Sequence, residues 1–164
     1  MSELENIAIP TKVKLSVLWT CTVLCYLYCD YFELYVPGKL RDLLNGQVGP
    51  FGEVTQANLL GMGIMLIVPC LMVAASIFLR SDLCRWLNIL IATAYTALMG
   101  LIAVTVTWYF YKIYAVAEIA LTLAIVFTAW RWPRQSATTE YSVQARLSTP
   151  MRGEGAPSAN RPPK

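Results

Sequence analysis

The segment CTVLCYLYCD, residues 21–30, holds the residue types best suited to chemistry: three cysteines and an acid in an apolar run. Cys21, Cys25 and Cys29 are spaced four residues apart, and Asp30 follows them. Thiols can bind a soft metal or form a disulfide, whereas a carboxyl in an apolar segment can bind a proton or a cation. A helix turns about 100° per residue, so the cysteines form one stripe and Asp30 lies about 180° from Cys21. The thiols and the acid therefore predict two separate kinds of site.

The cysteine stripe is interpreted as helix packing. Two cysteines four residues apart on one helix project the same way and are poorly placed for a disulfide, and the sequence contains no CxxC motif. It also contains no histidine, which removes the usual ligand of haem, zinc and copper(II). Cysteine and methionine bind Cu(I) well, so a soft-metal site stays open as the alternative. We predict no metal site, no cofactor and no catalytic residue.

The acids carry the prediction of a binding site. Ionisable side chains within membrane spans are costly and normally face the other helices or water. On the helical wheel, the residues that flank Asp30 are Trp19, Thr22, Tyr26 and Glu33. This face of the first apolar segment is therefore expected to point into a bundle.

Three further apolar segments each have one face that carries their polar, small or methionine residues. In the second segment, Asn58 shares its face with Met62, Met65, Pro69, Met72 and Ser76. In the third, Asn88 shares its face with Ala92, Tyr95, Met99 and Val106. In the fourth, Glu118 shares its face with Tyr114, Ala115, Thr122, Ile125 and Ala129. We expect these four faces to meet in one interior.

The predicted binding site consists of six residues: Tyr26, Asp30, Glu33, Asn58, Tyr95 and Glu118. We expect Asp30, Glu33, Asn58 and Glu118 to cluster in the outer third of this interior, whereas the two tyrosines line the cavity. Carboxyls that lie close together in a low-dielectric setting cannot both ionise at low cost, which suits the uptake of a proton or a cation. The basic residues nearest to these acids are Lys39, Arg41 and Lys112. The alternative is that the acids are solvated near the interface, or are satisfied by tyrosine hydroxyls and amides.

Four apolar segments must position these residues. Of the 164 residues, 57% are hydrophobic and 14% are charged, against about 25% charged in soluble domains. The apolar residues form blocks of about 20 residues, the length that crosses a hydrocarbon core about 30 Å thick. The predicted spans are about 14–36, 57–79, 86–109 and 114–132. Because lipid offers the backbone no hydrogen-bond partner, each span should be a helix. The sequence predicts an all-α fold, a four-helix transmembrane bundle with antiparallel, up-down topology.

Basic residues predict the orientation of the bundle. Ten lie near one set of span ends or in the tail, whereas three, Lys39, Arg41 and Lys112, lie near the other set. Since cytoplasmic loops carry the excess of Lys and Arg, both termini are predicted to be cytoplasmic. The aromatic residues at the span ends agree with this assignment. The predicted location is the cell membrane.

The chain is expected to have three parts, which are a cytoplasmic N-terminus at 1–13, the membrane domain at 14–132 and a tail at 133–164. The tail is rich in Ser, Thr, Pro, Gly and Arg, a composition typical of disordered segments. KLRDLL, between the first two spans, can form a short amphipathic turn of helix on the outer surface. Ser81 or Asp82 can begin the third helix. The last two spans, separated by residues 110–113, should form a tight hairpin.

The segment YLYCD (26–30) carries a resemblance to a known family, together with the preceding Leu18-Trp19 and the following VPGKLRDLLNG (36–46). The chain resembles an uncharacterised bacterial family of short four-span membrane proteins, one of the domains of unknown function. More distantly, it resembles the DoxX-like group. The resemblance covers about 14–133 and implies the four-span topology. It supplies no activity, substrate or catalytic residue. Members of the family often carry Asn where this chain has Cys25.

Two function classes are carried forward. The first is a small-molecule or cation binding or transport protein, in which Asp30 and Glu118 take up a proton or a cation and Tyr26 and Tyr95 line the cavity. The second is a non-catalytic accessory or scaffold subunit of the membrane, assembled through faces of small residues. A membrane enzyme is least favoured, because no nucleophile constellation is present. The predicted partners are the lipid bilayer and either further copies of this chain or another membrane protein. A nucleic-acid partner is not predicted.

Overall fold

A computed structural model describes residues 8–47 and 52–133. These residues form five helices, which are α1 (Thr11–Glu33), α2 (Lys39–Leu44), α3 (Gln56–Phe78), α4 (Ser81–Thr105) and α5 (Tyr109–Trp130). Within these two ranges there is no strand, and one isolated β-bridge joins Gln47 to Glu53. The prediction of an all-α fold is confirmed. Contacts divide the chain into units at 1–132 and 133–164, and the predicted tail lies outside the described residues except for Pro133.

Helices α1, α3, α4 and α5 contain 22 to 25 residues each, and all four are long and apolar enough to cross a membrane. At about 1.5 Å per residue, even the shortest of them exceeds a hydrocarbon core about 30 Å thick. The chain therefore has the composition and the element lengths of a multi-pass membrane protein. The short helix α2 coincides with the KLRDLL segment that was predicted to form a turn of helix.

The helix boundaries follow local chemistry, and one of them was predicted wrongly. Pro37 cannot continue a hydrogen-bonded helix, and Gly38 has a left-handed backbone (φ 89°) just before α2 begins. Helix α4 begins at Ser81, as the start signal predicts. The last hairpin was placed at 110–113 but lies at 106–108. The break contains two β-branched residues, Val106 and Thr107, and such residues lose side-chain freedom in a helix.

The helices are packed in the spatial order α3, α1, α5, α4. Helix α1 packs against α3 and α5, and α5 also packs against α4. Helices α3 and α4 are neighbours in sequence but contact each other much less. We call the end of the bundle where α1 ends and α5 begins the α2 end. The opposite end carries the start of α1 and the turn between α3 and α4.

The predicted inner faces do form the interior. The buried residues that lie on those faces are Trp19, Thr22 and Tyr26 of α1, Pro69, Met72 and Ser76 of α3, Asn88, Ala92, Tyr95 and Met99 of α4, and Ala115, Glu118, Thr122, Ile125 and Ala129 of α5. Two predicted members depart from this pattern, because Met62 and Asp30 are exposed. Both lie toward the α2 end, where the predicted inner faces are less completely covered by neighbouring helices.

Candidate functional site

Glu118 is the most buried acid in the described part of the chain. Its side chain is 3% exposed, and its Oε1 atom has no hydrogen-bond partner among residues 8–47 and 52–133. Helix α5 begins at Tyr109, so Glu118 lies nine residues into the helix, about 14 Å along its axis. The predicted span starts at 114, which would put Glu118 about one turn into the helix. The earlier start of α5 explains why it is deeper.

Helix α1 supplies the side chains around Glu118. Cys25, Tyr26, Cys29 and Asp30 all lie close enough to the Glu118 carboxyl to interact with it electrostatically. They belong to two successive turns, since positions three and four apart share one side of a helix. We call Tyr26, Asp30 and Glu118 the Glu118 cluster. The cysteines border it and are partly exposed, which agrees with a position between lipid and bundle.

Tyr26 and Tyr95 come together beside this cluster. Their ring centroids are 6.2 Å apart, and the Tyr95 ring also meets the Trp19 ring edge-on at 6.3 Å. The Tyr95 hydroxyl donates a hydrogen bond of 2.7 Å to the Met65 carbonyl of α3. The buried Tyr26 hydroxyl has no partner in the described ranges. Two unpartnered polar groups, one on Tyr26 and one on Glu118, therefore lie in one region of the core.

The other predicted site residues are engaged elsewhere or exposed. Glu33 forms an ion pair with Lys39, so α2 supplies a cation that neutralises this acid. The Asn58 side-chain amide donates to the Glu53 carbonyl at 3.0 Å, and its backbone amide donates to Thr55 Oγ1 at 3.2 Å. These contacts support the start of α3. Asp30 is exposed on the single chain, although its carboxyl is within electrostatic range of Glu118.

An aromatic groove at the α2 end was not predicted. It has a volume of about 390 Å³, and its lining residues are Phe32, Tyr35, Val36, Pro37, Trp108, Phe110 and Tyr114. Neither Asp30 nor Glu118 belongs to this lining. The clustering of aromatic residues in two segments was the available signal, but the sequence analysis used these residues only to support the orientation of the spans.

A second buried polar cluster lies toward the opposite end of the bundle. We call it the Asn88 cluster, and it consists of Trp19, Ser76, Cys84 and Asn88, all of which are 0% exposed. Asn88 Oδ1 accepts hydrogen bonds from the Trp19 indole at 2.7 Å and from the Ser76 hydroxyl at 3.4 Å. Its Nδ2 donates to the Cys84 carbonyl at 2.8 Å. The cluster therefore links α1, α3 and α4 through side chains.

Comparison with protein families decides the affiliation of the chain. The sequence model that defines a family of unknown function, DUF6326, matches residues 7–139, which is more than half of the chain. The chain belongs to DUF6326. No curated protein and no solved structure matches it. The prediction of a domain-of-unknown-function family is thus confirmed, whereas the bacterial source and the distant likeness to DoxX-like proteins stay predictions.

In this DUF6326 chain, the donor set limits the chemistry that the Glu118 cluster can perform. Among residues 8–47 and 52–133, no group of three or more His, Cys, Asp or Glu side chains could hold a metal ion. A carboxyl, a phenol and a second carboxyl can exchange a proton, or bind a cation through oxygen and aromatic faces.

Proposed function

We propose that this DUF6326 protein binds a small molecule or a cation, or transports it across the cell membrane. In this function, Glu118 takes up a proton or a cation. In this proposal both termini are cytoplasmic, and the α2 end faces the outside. The orientation follows from the excess of basic residues at the opposite end. Tyr26, Tyr95 and Asp30 are the other residues of the site.

One observation carries this proposal: Glu118 is almost fully buried, with a carboxyl oxygen that no side chain of the described ranges satisfies. An unpaired ionised carboxylate in an apolar interior costs several kcal/mol, on the order of the penalty for one buried ion. The described residues provide no Lys or Arg in an ion pair with Glu118, and Lys39 of α2 is engaged by Glu33. A proton or an external cation is therefore the partner that Glu118 lacks.

Infrared spectroscopy of the protein in lipid nanodiscs tests the proposal. We expect a carboxyl band that responds to added Na⁺ or K⁺ or to a change of pH, and that is lost in Glu118→Gln. The matched control is Glu33→Gln, which removes an acid that Lys39 already neutralises and should leave this band in place. If the Glu118 band is absent, or if it ignores both pH and cations, the proposal is wrong.

A non-catalytic accessory or scaffold subunit is the second candidate. The small-residue face of α4 is used inside the chain, since Ala92 is fully buried and Thr96 Oγ1 donates to Thr122 Oγ1 of α5 at 2.8 Å. In contrast, Ala120 of α5 is exposed, and a Cβ added to Gly61 of α3 would have no neighbour within 4 Å. These open positions favour contact with another helix. Native mass spectrometry tests this, because a purely monomeric protein that retains the infrared response of Glu118 would contradict it.

A further inference from the structure

We infer that the ligand of Glu118 is a lipophilic organic cation, whose apolar body occupies the aromatic groove while its positive charge lies toward Glu118. This inference rests on the proposed function and names the chemical class of its ligand. It depends on three features of the structure, which are the lining of the groove, the connection from the groove to Glu118, and the charges around both.

The lining of the groove suits an apolar body of the size of a small organic molecule. Its volume, about 390 Å³, lies within the range of small-molecule sites, about 300–1,000 Å³. One wall is the end of α1 and the turn that follows it, and the other wall is the α4–α5 junction and the start of α5. Five of the seven lining residues are aromatic. Aromatic faces attract organic cations, because the ring quadrupole is negative above the plane.

Each wall of the groove includes a residue close in sequence to Glu118 or to one of its neighbours. On α5, Tyr114 of the lining precedes Glu118 by four residues, which is about one helical turn. On α1, Phe32 of the lining follows Cys29 by three residues, and Cys29 interacts electrostatically with Glu118. Side chains at these spacings share one side of a helix. The lining of the groove therefore comes within one helical turn of Glu118 on α5 and within one turn of its electrostatic neighbour Cys29 on α1.

The charges near the groove select a cation. Glu118 and Asp30 are the acids below it, and the third acid of this region, Glu33, is paired with Lys39 and interacts with the Tyr111 hydroxyl. Lys112 lies over the ring of Tyr109, outside the lining. An anion would meet the two acids, and a neutral molecule would leave Glu118 without a partner. A hydrated inorganic cation would gain nothing from an apolar wall.

Equilibrium dialysis in detergent tests the inference with two probes of the same shape and opposite charge, tetraphenylphosphonium and tetraphenylborate. We expect tetraphenylphosphonium to bind and tetraphenylborate not to bind above the level of detergent alone. Glu118→Gln should weaken tetraphenylphosphonium binding by at least about tenfold, and Tyr114→Ala by about fivefold, which corresponds to loss of one aromatic face. Tyr109→Ala is the matched control, because Tyr109 is exposed and lies outside the lining.

A loss of binding supports the inference only if the variants are folded. Helical circular dichroism and gel filtration check each of them, and Tyr114→Phe, which keeps the ring, should retain binding. Equal binding of both probes, or full binding by Tyr114→Ala, would overturn the inference. If tetraphenylphosphonium does not bind while the infrared band of Glu118 still responds to pH or Na⁺, the inference alone fails. If that response is missing too, the proposed function fails with it.

Discussion

The Asn88 cluster and the Glu118 cluster are both buried groups of polar side chains, but they differ in how completely their hydrogen bonds are made. Asn88 uses its carbonyl oxygen for Trp19 and Ser76 and its amide nitrogen for Cys84. In the Glu118 cluster, Glu118 Oε1 and the Tyr26 hydroxyl have no partner among the described residues. One cluster is complete within the chain, whereas the other retains the capacity to bind something else.

The two clusters therefore suit different roles for buried polar side chains in the same bundle. A buried network whose hydrogen bonds are all made fixes the arrangement of the helices. A buried polar group without a partner instead destabilises the fold, because no hydrogen bond offsets the free energy of its desolvation. Helices α3 and α4 contact each other sparsely. The hydrogen bonds that the Ser76 hydroxyl donates to Asn88 and that the Cys84 thiol donates to the Ser76 carbonyl therefore contribute much of the link between them. We therefore assign the Asn88 cluster to stability, and in the proposed function the Glu118 cluster serves binding.

The largest effect on stability is expected for Asn88→Leu. The substitution removes the acceptor of the Trp19 indole and of the Ser76 hydroxyl, which leaves two buried donors without their partner. We expect the free energy of unfolding to fall by about 2 kcal/mol. Reversible unfolding in mixed micelles of a mild detergent and SDS measures this change.

Glu118→Gln is the counterpart of this substitution in the other cluster. It keeps the shape of the side chain and removes the possibility of an unpaired buried charge, so the free energy of unfolding should stay within about 0.5 kcal/mol or rise. If both substitutions destabilise the protein equally, the two clusters do not differ in kind. The distinction between a structural and a binding cluster would then have to be abandoned.

Helical periodicity was sufficient to predict the interior of the bundle. The faces drawn for Trp19, Asn88 and Glu118 are the buried faces, because lipid-facing and inward-facing residues alternate with the period of the helix. The pairing of Trp19 with Asn88 was not predicted. The two residues are 69 positions apart, and only the packing of α1 and α4 in three dimensions brings them together.

The candidate site was predicted in part, for a similar reason. Tyr26 lies near both Tyr95 and Glu118, since each of the three occupies the inner face of its helix. The ion pair of Glu33 depends on the left-handed turn at Gly38 and the position of α2, which periodicity does not address. The aromatic groove depends on where α4 ends and α5 begins, and that boundary was placed about four residues too late.

A smaller effect separates the two adjacent tyrosines. Tyr95→Phe removes a hydroxyl that donates to the Met65 carbonyl, whereas Tyr26→Phe removes a hydroxyl without a partner among the described residues. We expect Tyr95→Phe to lower the free energy of unfolding by about 1 kcal/mol, and Tyr26→Phe to change it by less than about 0.5 kcal/mol. The same unfolding assay compares them. An equal loss in both variants would show that the Tyr26 hydroxyl is satisfied and would remove it from the proposed site.

The smallest expected effect lies at the end of the bundle opposite the α2 end, where Lys12 reaches the end of α3. Its ammonium group donates to the carbonyls of Ile77 and Leu79, which no intrahelical amide satisfies at this terminus. A cation at a helix C-terminus also interacts favourably with the helix dipole. Lys12→Met should therefore lower the free energy of unfolding by about 0.5 kcal/mol. Lys14→Met is the control, since Lys14 is exposed on the same helix. If both variants lose the same free energy of unfolding, the effect comes from overall charge and not from the hydrogen bonds of Lys12. The stabilising hydrogen bonds at this end of the bundle would then be those of Asn88 and its partners.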